Sequence, residues 1–104
     1  MAEISITDGY ITAPGADSNT ALGASTVQAD TLIVVAHKAS ETENAGTVYL
    51  RKVGGTVKIP LEPGDVLSIT GPNGEEFTLA QWEICNVTAG DGCGYVAIDY
   101  SPYG

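Results

Sequence analysis

An all-β fold, a small two-sheet sandwich or jelly-roll-like domain with an extended N-terminal arm, is what the sequence predicts, on three observations. From Thr31 onward, short β-branched and apolar runs recur, each bounded by Gly, Pro, Asn or Asp. Helical periodicity is nearly absent. The strands number about eight, more than a single flat open sheet of this size accommodates.

Residues 1–30 are poor in bulky apolar groups and rich in Ala, Gly, Ser, Thr and Asp. Their large apolar side chains are Ile4, Ile6, Tyr10, Ile11, Leu22 and Val27, too few for a self-contained core. The segment reads as an extended arm or edge, with 31–104 as the sandwich domain, and Pro14–Asn19 as a turn cluster. Two readings of its start stay open. In one it clasps a neighbouring subunit or shell protein by strand addition, with Ile4, Ile6, Tyr10 and Ile11 as anchors. In the other, Glu3 to Thr7 is simply the first strand of its own sandwich.

Thr31 to Ala36 is continuously apolar after its first residue, as expected of a central strand buried on both faces. Thr47 to Val53 alternates, Gly54-Gly55 offers a two-residue turn, and Val57, Ile59 and Leu61 form a period-2 stripe, so 47–61 reads as a hairpin. Glu62-Pro63-Gly64-Asp65 is a tight turn, because Pro presets φ and Gly accepts the left-handed position. Val66 to Thr70 is the next strand, and Pro72-Asn73-Gly74 a further turn. Thr78 to Gln81 has the pattern of a capping box and predicts one helical turn over 79–83 that presents Trp82. Ile84 to Val87 and Gly94 to Tyr100 close the domain as two strands.

Thirteen acids against four cations give a net charge of -9, and the cations Lys38, Arg51, Lys52 and Lys58 all lie between residues 38 and 58. This argues against nucleic acid as a partner, since affinity for phosphates comes from clustered Lys and Arg. The acidity serves solubility or a complementary basic partner. No run approaches the length of a membrane span, and Met1 to Ser5 lacks the basic start of a signal peptide, so no membrane partner and synthesis in a cytoplasm are expected. In such a compartment Cys85 and Cys93 are read as separate apolar fillers ahead of a disulfide.

Signals for chemistry are weak throughout. His37 is the single histidine and has no local motif around it, although a pairing with Cys85 or Cys93 stays open. The two cysteines have no second pair for zinc, Asp91-Gly92 lacks the Asp/Asn spacing of a calcium loop, and Glu75 and Glu76 read as a charged strand edge pointing to opposite faces. No phosphate loop is present, and Asn86-Val87-Thr88 is a chance sequon. No catalytic residue, metal or cofactor is therefore assigned. Among the aromatics, Trp82 is read first as core, then as interface or ligand platform, and Tyr100 and Tyr103 as contacts to a partner.

The sparse arm, the hairpin Val48 to Leu61 running into Leu61-Glu62-Pro63-Gly64-Asp65, and the close from Trp82-Glu83-Ile84 to Gly94-Tyr95-Val96-Ala97-Ile98 together resemble the small head-decoration, or cement, proteins of tailed bacteriophages. The resemblance covers the chain in outline. It implies a structural virion protein on the capsid surface, made in the host cytoplasm, forming a homo-oligomer with three copies favoured. Its partner would be the major capsid protein. The Leu-Glu-Pro-Gly-Asp turn is similar to that of cupins, whose metal-binding histidine pair this sequence lacks. The rival expectation is a carbohydrate- or receptor-binding β-sandwich with Trp82 or the C-terminal tyrosines as platforms, and an enzyme stands third. A homo-oligomer is also expected from the strand at 31–36, which needs cover on both faces.

Overall fold

The computed structural model describes residues 3–13, 19–39, 42–71, 75–85 and 90–101. It is all-β and sandwich-like, as the turn-bounded runs predict. Two four-stranded antiparallel sheets carry the core. The first contains β1 (Glu3–Thr12), β4 (Thr31–Val35), β9 (Val66–Thr70) and β12 (Gly92–Ser101) in the order β1-β12-β4-β9. The second contains β2 (Thr20–Ala21), β7 (Val48–Lys52), β8 (Ile59–Leu61) and β11 (Trp82–Cys85) in the order β2-β11-β7-β8. Two short pairs complete the set: β3 (Gln28–Ala29) with β10 (Phe77–Thr78), and β5 (His37–Lys38) with β6 (Thr42–Glu43).

The core lies between the two large sheets. Leu32, Val34, Cys93 and Ala97 enter it from the first, and Val48, Leu50, Leu61 and Ile84 from the second. Leu22, Ala29 and Leu79 fill it from the connecting segments. β4, β7 and β9 alternate in burial because successive side chains leave a strand on opposite faces.

The N-terminal segment finds its strand-addition partner within its own chain. All ten residues of β1 pair with β12, from Glu3 opposite Ser101 to Thr12 opposite Gly92, and β1 is left as the edge of its sheet. Further along, Leu22 and Ala29 are fully buried.

β4 is central, flanked by β12 and β9, but it is not buried on both faces as its apolar run predicts. Leu32 and Val34 are buried, whereas Ile33 and Val35 are only half-buried. Among the described residues only one layer covers this sheet, and its other face is left open.

The hairpin forms in the register that a two-residue Gly54-Gly55 turn dictates, with Val48 opposite Leu61 and Leu50 opposite Ile59. The strands part before the turn, however. Gly55 N–H donates to Lys52 O at 2.7 Å and Val53 N–H to Gln81 O at 2.8 Å, so the turn tightens over Lys52–Gly55 and Val57 stands exposed outside β8. Pro60 is tolerated because β8 is an edge strand with no N–H needed on its outer side.

The expected helical turn is a 3-10 turn over Leu79–Gln81 with the capping box present between Thr78 and Gln81, and Trp82 opens β11 instead of ending the turn. Glu75 and Glu76 precede β10 and are not on a strand, which corrects their reading as a strand edge. Pro72–Gly74, the turn from Pro14 to Ser18 and the sequon at 86–88 fall outside the described residues.

Candidate functional site: an uncovered apolar sheet face

The strand registers fix which side chains share the outer face of the first sheet. Ile4, Ile6 and Tyr10 of β1 stand opposite Tyr100, Ile98 and Gly94 of β12, and Asp8 stands opposite Val96. Next to them, Ile33 and Val35 of β4 stand opposite Val96 and Gly94, and then Ser68 and Val66 of β9. The face is therefore a continuous apolar surface carrying one charge, Asp8. It is also largely uncovered: Ile6 is 67% exposed, Val66 64%, Ile4 61% and Tyr100 49%.

Its centre is shaped by a reciprocal pairing. Tyr10 lies over Gly94, where an added Cβ would come within 2.7 Å of the ring, and on the opposite face of the same two strands Tyr95 lies over Gly9. Each glycine gives a ring room to lie flat on the sheet, which leaves a shallow depression of about 310 Å³ floored by Gly94 and walled by Tyr10, Ile33, Val35 and Val96. An aromatic ring resting on a cross-strand glycine shields backbone that the missing side chain leaves open.

A buried polar clamp holds β12 in place beneath this surface. Asp91, fully buried, accepts from the amides of Ala45 and Gly46 at 2.9 Å each, and Lys38 Nζ lies 3.5 Å from its carboxylate. Burial pushes the Asp91 carboxyl up, but the two amides and the Lys38 ammonium outweigh it and hold its pKa below the ordinary aspartate value. Asn44 extends the clamp as a strand would, its side-chain amide donating to Gly92 O at 2.8 Å while its oxygen accepts Gly92 N–H at 3.1 Å. On the second sheet, Arg51 donates from Nε and Nη2 to a single oxygen, Oε2, of Glu83 across β7 and β11.

A carboxylate group sits at the other end of β12. Asp30 Oδ2 accepts the Tyr100 amide at 3.0 Å, and Glu76 faces Asp99 and Asp30. Hydrogen bonding with Asp99, then the negative charge of Asp99 and Asp30, holds Glu76 above the ordinary glutamate pKa. Asp99 Oδ1 is buried without a hydrogen-bond partner.

Among the described residues no group of three or more His, Cys, Asp and Glu is placed to hold a metal ion. Cys85 and Cys93 are both free and buried, and burial pushes the Cys93 thiol up to about 12, so it is protonated and a poor nucleophile. His37 is half-buried, its Nδ1 without a hydrogen-bond partner.

The residues expected to meet a partner divide between surfaces. Ile4, Ile6, Tyr10 and Tyr100 come together on the outer face. Ile11 points the other way and packs against the core. Trp82 also packs partly against the core, and with Phe77, Ile69 and Lys52 it lines a second depression of about 240 Å³. Tyr103 lies outside the described residues. Sequence reasoning missed Ile33 and Val35, whose run read as two-sided burial, and Val66, Val96 and Ile98, whose strands it assigned to no face. The alternation of Val66, Ser68 and Thr70 against Leu67 and Ile69 was a signal that one face of β9 is solvated.

No family model matches the chain, and no curated protein matches it. Among solved structures, the solution NMR structure of a de novo designed double-stranded beta-helix aligns with 91% of this chain and 99% of its own, at 12% identity and a TM-score of 0.46.

Proposed function

We propose that this chain is a structural assembly protein that decorates and stabilises the head of a tailed bacteriophage, docking on the major capsid protein through the outer face of its first sheet. The observation that carries the reading is the uncovered apolar face, on which Ile4, Ile6, Tyr10 and Tyr100 at one edge and Val66 at the other are exposed with a single charge among them. Soluble domains seldom leave a contiguous apolar surface of more than a few hundred Å² open, and those that do use it as an interface. The phage-head assignment comes from the outline resemblance of the sequence, which implies a position on the virion surface.

Such a face has little charge to steer it, so docking on a shell gains mainly from desolvation and depends weakly on salt. The test is co-sedimentation of the protein with assembled capsid shells from the same source in a density gradient. Wild type is expected to travel with the shells, and Ile33→Lys with Val66→Lys to remain at the top while keeping its β circular dichroism. Co-sedimentation that survives the double substitution removes the face from the reading, and none with wild type removes the shell.

A second reading, a carbohydrate-binding module, is favoured by the depression where Trp82 and Phe77 stand together with Lys52 and Gln81. Trp82 is the single tryptophan. A saturable change in its fluorescence on titration with oligosaccharides would favour this reading, and an unmoved signal the first.

A further inference from the structure

We infer that two copies of this chain join through β1, edge to edge and antiparallel, into one eight-stranded sheet. The pairing is independent of what the outer face docks on. β1 is ten residues long and sits at the end of its sheet, and no strand among the described residues pairs with its outer side. Edge strands are ordinarily protected by being short, by charged side chains, by Pro or by a bulge. β1 is long and has no Lys, Pro or bulge, its two charges being Glu3 and Asp8: its sequence is EISITDGYIT and its pairing with β12 runs without interruption. The opposite edge, β9, is five residues long.

The sequence of β1 also selects a register. Because outer-face residues of β1 are even-numbered, only registers that pair even with even keep the two outer faces on one side. Centring the two-fold axis on Asp8 puts like charges directly opposite, which is unfavourable. Centring it on Thr7 instead puts Thr7 opposite Thr7, Tyr10 opposite Ile4 and Asp8 opposite Ile6 of the second copy. Thr–Thr and aromatic with β-branched are favourable cross-strand pairs, and this register engages nearly the whole strand. Such an isologous contact closes at two copies, where the resemblance of the sequence implies three.

Area gives the second copy a purpose. From strand lengths and spacings, the outer face of one sheet covers roughly 480 Å², short of the roughly 800 Å² per partner of a standard interface. Two faces joined edge to edge exceed it. With -9 on each copy, the copies repel at long range, so added salt strengthens the pairing.

Sedimentation equilibrium reads the mass directly. Twice the 10.7 kDa chain mass is expected at high micromolar concentration, with the apparent dissociation constant falling severalfold between about 0.02 M and about 0.5 M NaCl. Thr7→Lys, which sets two ammonium groups against each other and leaves the outer-face side chains unchanged, is expected to give a monomer whose melting temperature matches that of wild type diluted below its dissociation constant. Thr7→Cys is expected to cross-link two copies on mild oxidation, and Ser68→Cys on the opposite edge is not. A wild-type monomer throughout, a mass of three chains, or cross-linking through Ser68→Cys but not Thr7→Cys would overturn the inference. Shell binding fails or survives on the Ile33 and Val66 substitutions, so the two proposals are separable.

Discussion

Asp91 shows how one residue can organise a loop. Its carboxylate takes both the Ala45 and Gly46 amides, more than forty residues away in the chain. Asp91→Asn keeps the shape but loses the charge-assisted acceptors and turns an NH2 group toward donors. The expected loss is about 1–3 kcal/mol, the range for a buried hydrogen-bonding group left unmatched, measured by urea unfolding. Asp91 and Glu76 also set opposite pH dependences. The lowered pKa of Asp91 contributes stability that is present above the ordinary aspartate value of 3.8 and is lost as the pH falls through its folded value. The raised pKa of Glu76 means the folded state holds a proton more tightly than the unfolded chain, so stability falls as the pH rises through and above 4.5. The melting temperature is therefore expected to rise from neutral pH toward mildly acidic pH, and then fall below about 4. Glu76→Gln should raise stability at neutral pH and flatten the first part of that curve, and a curve unchanged by this substitution would dismiss the carboxyl contact.

The pairing of β1 with β12 packs closely around its glycines. Gly94→Ala brings a methyl into the Tyr10 ring, whose nearest carbon would be 2.7 Å away. Tyr10 is 40% exposed and can swing outward, so the expected cost is about 1 kcal/mol, at the low end for overpacking. Tyr10→Ala in the same chain should abolish most of that cost, and a double-mutant cycle on the melting free energies reads the coupling. Elements of this kind were partly legible. The hairpin register followed from counting outward from Gly54-Gly55, because a turn of fixed length fixes every pair beyond it. Gly64 takes a φ of 90° in its Pro-Gly-Asp turn, as the residue types require. The local opening at Lys52–Gly55 was not legible, since it depends on Val53 finding the Gln81 carbonyl of another element. For β1, the weak alternation of Ile4 and Ile6 identified a strand but carried no information on which chain it would join.

For the whole molecule, composition and turn spacing were sufficient for the all-β class, and the uncovered face was half visible. Thr31 to Ala36 announced a strand apolar on both sides. What it could not announce was that the domain supplies a layer for only one of them, because the number of layers is set by how all the other strands divide between sheets. Trp82 illustrates the same limit: its single position serves the core and a surface depression together.

The direct opposition of Glu3 and Ser101 has a mechanical consequence. A pulling force applied between these two residues runs across the strands, at right angles to their length, and loads the β1–β12 hydrogen bonds one pair after another. The same force applied between Glu3 and Gly92, at opposite ends of the ladder, shears all ten pairs at once. In an optical trap, handles at residues 3 and 101 are expected to peel β1 away at low force and in gradual steps. Handles at residues 3 and 92 should give a single rupture at a force several times higher. Equal forces along the two axes would mean that the ladder is not the element that resists extension.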